Sequence, residues 1–114
     1  MSEARKTSPE DIYFVTLTVV GWVNLFDREV YKKIVVENLK YCQENEHLEI
    51  FAYVIMSNHI HMVCRRKERD LKELLGRFKS YTSKLFLKEI EDNPAESRRE
   101  WLLFLFKKYA NKNN

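Results

Sequence analysis

His59 and His61 stand one residue apart in the run Val54-Ile-Met-Ser-Asn-His-Ile-His-Met-Val63. Side chains of a β-strand repeat every two residues, so a strand here sends both imidazoles to one face and Ile60 and Met62 to the other. Neutral imidazole is the commonest protein ligand for a metal, and two on one face supply half a site. The plainer alternative is a pair that only ends a hairpin, one ring hydrogen-bonded and the other in water.

The surrounding sequence predicts the elements that position this pair. Residues 12 to 20, IYFVTLTVV, are mostly β-branched or aromatic and predict a strand with Thr16 and Thr18 on one face and Val15, Leu17 and Val19 on the other. Gly21 to Phe26 reads as a short connection. Asp27 can cap a helix in which Tyr31, Ile34, Val35, Leu39 and Cys42 recur at helical spacing. Ile50 to Met56 predicts a second strand, Ser57-Asn58 a turn, and His59 to Arg65 a third strand antiparallel to the second.

Asp70 with Glu73 is a capping-box pattern that opens a long helix running to Ile90, its buried stripe being Leu71, Leu74, Leu75, Phe78 and Leu85. Asn93, Pro94 and Glu96 occupy the cap, first and third positions of a third helix, whose centre, Trp101 to Phe106, is apolar on every side and must be buried or shared. The order β-α-β-β-α with a further helix gives the fold class: α+β, a ferredoxin-like (split βαβ) antiparallel sheet with helices on one face. A fourth strand is not legible.

A chain of 114 residues is one domain, 1 to 114, and 45% apolar content suffices for a single core. Residues 1 to 11 are polar and read as a flexible N-terminus without a signal region. No apolar run reaches membrane-spanning length, so the expectation is a cytoplasmic protein with no membrane partner. Cys42 and Cys64 have no CxxC spacing and read as two buried thiols. A net charge of +3 argues only weakly for a polyanionic partner, so the placement of the cations matters more. Arg65, Arg66, Lys67 and Arg69 form a basic segment beside the histidines, and Arg77, Lys79 and Lys84 follow on the long helix, where they can reach phosphates. For each of them the alternative is a solvated surface charge.

The segment YFVTLTV at 13 to 19, Leu25-Phe26, the MSNHIHMV run and Phe78-Lys-Ser-Tyr-Thr82 together resemble the single-tyrosine HUH transposases, closest to the REP-associated tyrosine transposase branch. The resemblance covers residues 12 to 85. It implies that a tyrosine cuts one DNA strand, leaving a 5′-phosphotyrosine and a free 3′-hydroxyl. It also implies that His59, His61 and a third, amide or carboxylate, ligand hold Mg²⁺ or Mn²⁺. In the family the nucleophile lies on a downstream helix with the third ligand one turn later. Tyr109 with Asn113 has that spacing. The other expectation is that the chain is a C-terminally truncated fragment stopping short of the catalytic helix, with Trp101 to Phe106 packing on the absent part or on a partner chain in a homodimer. The implied partner is single-stranded DNA with a hairpin. Tyr81, like Tyr13, Tyr31, Tyr41 and Tyr53, reads as a packing residue.

Other chemistries fit less well. Histidine-triad hydrolases need a third histidine where Val63 stands, two-histidine phosphodiesterases need two H-x-T or H-x-S elements, and zinc deaminases need cysteine pairs. The remaining alternative is a non-catalytic ferredoxin-like module that binds RNA or single-stranded DNA by stacking bases on Tyr13, Phe14 or Tyr53.

Overall fold

The computed structural model describes Ser8 and residues 10 to 113, without the side chains of 110 to 113. β1 (Tyr13–Thr18) buries Val15 and Leu17 and turns Phe14, Thr16 and Thr18 the other way, the alternation that its sequence predicts. Two 3-10 turns, Val20–Trp22 and Leu25–Asp27, lead into α1 (Glu29–Asn45), which buries Tyr31, Val35, Leu39 and Cys42. β2 (Leu48–Ile55) and β3 (His59–Arg66) form the predicted antiparallel hairpin, and β1 pairs antiparallel with the other edge of β3, giving the order β1-β3-β2. α2 (Leu71–Asp92) and α3 (Arg99–Asn113) complete an α+β fold with three strands among the described residues, compatible with the split βαβ class.

The core lies between the sheet and the helices. Ile60, Met62 and Cys64 of β3 join Val15 and Leu17, and Leu71, Leu74, Leu75, Phe78, Phe86 and Ile90 of α2 close over them. Each fully buried aliphatic side chain of that stripe stabilises the fold by about 1.5–3 kcal/mol. The α2 start follows its sequence signal, since the Asp70 side chain accepts from the Lys72 backbone N–H. The carboxylate of Glu73 is given to Arg66 and Arg77. No described helix is long and apolar enough to cross a membrane.

Several expectations are corrected. α1 is capped by Arg28, with no side-chain cap bond, one residue beyond Asp27. α3 begins at Arg99 and not at Asn93, because Asn93 closes α2 and uses its side chain to accept from the Ala95 N–H, while Glu96 turns inward. Leu85 is half-buried and Phe86 takes its core position. Tyr31 packs as expected, but Tyr41, Tyr53 and Tyr81 are exposed. α3 buries Leu102 and Phe106 yet leaves Trp101 and Phe104 outside, so its apolar centre is not covered by the described chain.

Candidate functional site

The two-residue turn that starts β3 is tied to the connection after β1. The Asn58 carbonyl accepts from the Val19 N–H at 2.9 Å, the Ser57 carbonyl accepts from the Phe26 N–H at 2.9 Å, and the Asn58 side-chain amide donates to the Trp22 carbonyl at 3.3 Å. These bonds fix where β3 begins and therefore which way its first side chains leave. Strand parity then sends His59 and His61 to the face opposite Ile60, Met62 and Cys64, with Thr18 and Thr16 as their respective partners on β1.

The rings meet. His59 Nε2 and His61 Nε2 are 3.0 Å apart, His59 Nδ1 lies 2.7 Å from Asn58 Oδ1, and His61 Nδ1 lies 3.1 Å from Thr16 Oγ1. The direction of this chain follows from its fixed end. The Trp22 carbonyl can only accept, so the amide nitrogen of Asn58 faces it and Oδ1 faces His59. His59 therefore carries its proton on Nδ1 and presents a lone pair at Nε2. For neutral rings, His61 then donates from Nε2, and its Nδ1 accepts from the Thr16 hydroxyl.

The two Nε2 atoms converge from one face of the sheet, and each ring is held through its other nitrogen, so the pair would offer two imidazole nitrogens to a divalent ion. The residues thus fit a divalent ion as two of its ligands. Among the described residues no group of three His, Cys, Asp or Glu side chains gathers to hold a metal. Ligation would need lone pairs at both Nε2 atoms, with the His61 proton on Nδ1 and the Thr16 hydroxyl accepting it instead of donating, a reversal that a hydroxyl permits. Thr16→Val should weaken Mn²⁺ binding, read by electron paramagnetic resonance of the free ion, about tenfold, and Thr16→Ser should restore it. Equal affinity in Thr16→Val would remove the hydroxyl from the site.

Burial pushes the Cys64 thiol up to about 11 and also raises that of Cys42, so both are neutral packing groups, as expected.

The expected phosphate-binding cations are scattered. Arg65 is on the same face as the histidines, with its Nε bonded to Glu49 at 2.9 Å, and Lys67 pairs with the same carboxylate at 3.3 Å. Arg66 points the other way. Its side chain is 0% exposed, and its guanidinium is spent on Glu46, Glu73 and the carbonyls of Glu46 and Asp70, so it holds the hairpin to α1 and α2. Arg77 and Lys84 line a groove of about 510 Å³ between α1 and α2, together with the exposed Tyr41 and Tyr81. Lys79 lines another groove with Thr18, the register partner of His59.

Asn113 lies outside the described side chains. Tyr109 is described, half-buried on α3, and its ring packs against Gly21, where an added Cβ would meet Tyr109 Cε2 at 3.3 Å. Gly21 and Trp22 both adopt left-handed backbone, with φ of 67° and 59°, and the Trp22 carbonyl is the one that Asn58 reaches. Consecutive contacts therefore join the tyrosine of α3, this turn and the histidine-bearing strand. Trp22 and Phe51 have only weak sequence signals, an aromatic beside a tight turn and an aromatic in a strand of exposed residues.

The fold and the pair define an α+β protein with two imidazoles on the face of its sheet that, among the described residues, carries no helix. A family model described as "Transposase IS200 like" matches residues 13–108, and the chain belongs to that family of DNA transposases. Searches of curated proteins and of solved structures return no match.

Proposed function

We propose that this transposase cuts a single DNA strand with Tyr109 and keeps the broken end as a phosphotyrosine, at a site where His59 and His61 hold Mg²⁺ or Mn²⁺. The observation that carries the reading is the convergence of the two Nε2 atoms at 3.0 Å, each ring held from behind by Asn58 or Thr16. The cation, when bound, offsets negative charge on the scissile phosphate. Imidazole ligands favour Mn²⁺ over the oxygen-seeking Mg²⁺. Asn113 is the proposed third ligand.

Tyr109 attacks the phosphorus through its phenol oxygen, which loses its proton. The bond to the 3′ oxygen breaks, that oxygen gains a proton, and the 5′ phosphate stays on the tyrosine. A second strand's 3′-hydroxyl reverses the step, so rejoining needs no external energy source. Packing of Tyr109 on the Gly21–Trp22 turn supports its assignment, because that turn also anchors Asn58.

The proposed substrate is single-stranded DNA bearing a hairpin, as in the REP-associated branch. Arg65, Lys67, Arg77, Lys79 and Lys84 are the proposed phosphate contacts, and the burial of Arg66 removes it from that set. The exposed Trp101 and Phe104 of α3 support a homodimer.

The test is covalent capture. With Mn²⁺ and a hairpin-bearing single strand, the chain should form a denaturant-stable adduct that disappears with Tyr109→Phe and with chelator. An undiminished adduct in Tyr109→Phe would move the nucleophile elsewhere.

A further inference from the structure

We infer that the helix-free face of the sheet is a stacking platform that carries single-stranded DNA away from the histidine pair, with Phe14 taking the first base and Phe51 under Arg65 taking the next. The inference rests on the strand-cutting reading of the same site. The register orders this face into rows: Thr18 with His59; Thr16, His61 and Val54; Phe14, Val63 and Ala52; then Arg65 with Glu49. Rows two residues apart along a strand are about 6.8 Å apart, so the platform leads outward from the histidines in even steps.

Phe14 is 69% exposed, and its ring centroid lies 5.4 Å from that of His61. Phe51, in the bulge between Ile50 and Ala52 of the edge strand β2, is 51% exposed, and the Arg65 guanidinium sits over its ring at 5.6 Å. Leaving a phenylalanine in water wastes its burial, so two on one open face, adjoining the candidate site, imply that something else covers them.

The chemistry of the face selects the occupant. Unpaired bases offer flat faces to aromatic rings and to a guanidinium plane, whereas the bases of a duplex are already stacked. Arg65 and Lys67 share the single carboxylate Glu49, which leaves the end of the platform net positive for a phosphate chain. Continuity with the histidine cradle of a DNA transposase points to DNA. Of the other two aromatics that base stacking might use, Tyr13 and Tyr53 pair in register with Cys64 and Met62 and belong to the opposite face.

The experiment measures anisotropy of a fluorescent oligodeoxythymidine in EDTA, so that binding is read without cleavage. Phe14→Leu and Phe51→Leu keep an apolar side chain but lose the stacking plane, and each should weaken binding about tenfold. Phe14 is on β1 and Phe51 on β2, with β3 between them, so the double variant should lose about a hundredfold. Phe14→Trp should bind at least as tightly as wild type, and Tyr53→Leu, on the opposite face of the sheet, should change nothing. A double variant with wild-type affinity overturns the platform, whatever happens to the covalent adduct. Affinity lost as expected, in a protein whose wild type forms no adduct with Mn²⁺ and hairpin DNA, keeps the platform and overturns the cutting reading instead.

Discussion

Replacing both His59 and His61 with alanine is expected to lower the yield of covalent protein–DNA adduct by on the order of a thousandfold or more, with Mn²⁺ saturating for the wild type. Removing one preorganised electrostatic group from an active site costs about a hundred- to a thousandfold, and the double variant removes the entire imidazole cradle. The fold should survive, because both rings sit half-buried on the open face and no core side chain depends on them. Circular dichroism and the urea unfolding midpoint should match wild type, which separates lost chemistry from lost structure. Single variants should fall nearer a hundredfold. Adduct formation at the wild-type level in the double variant would show that the pair has no part in the chemistry and leave it as the end of a hairpin.

How far the site could be read from sequence depends on which physical rule governs each residue. Period-two alternation separates Thr16 and Thr18 from Val15 and Leu17, and His59 and His61 from Ile60 and Met62, because the apolar set must be buried. The same parity puts Arg66 with Ile60, Met62 and Cys64. Charge suggested a surface residue there, but two carboxylates make its burial tolerable. Phe51 was not readable, since a bulge breaks the parity on which any such reading depends. Helix ends failed where the capping residue had a competing bond. Asn93 serves a turn after α2, and Glu96, three positions on, is drawn into the core by Tyr31 and Arg98, so the capping pattern there marks a loop. Tyr41 of α1 and Tyr81 of α2 have helical spacing but lie at the rim of the α1–α2 groove, which only the packing of the two helices creates.

Glu96→Ala is expected to destabilise the fold by about 3 kcal/mol. The carboxylate is 1% exposed and receives bonds from the Tyr31 hydroxyl at 2.7 Å, the Arg98 backbone N–H at 2.9 Å and the Arg28 and Arg98 guanidinium groups at 3.2–3.3 Å. Burial disfavours its charged form, but these donors outweigh burial and hold the carboxyl at about 2, against an ordinary 4.5. A carboxyl lowered on folding stabilises the native state above its unfolded pKa, and that stability drains away as pH falls from about 4.5 toward 2. Glu73 is also lowered, by its bonds to Arg77 and Arg66, but it is present in both proteins and cancels in a comparison. The charge-neutral Glu96→Gln isolates the effect: its deficit in urea unfolding free energy should be largest near pH 7 and shrink by more than half by pH 3. A deficit that stays constant would mean that Glu96 acts by shape alone. The same variant tests the tie to the site. Arg98, bonded to Glu96, also donates to the Asn24 carbonyl at 3.2 Å, beside the 3-10 turns that anchor Asn58. Loosening it should raise amide exchange at Phe26 and Val19 before it raises exchange in α2.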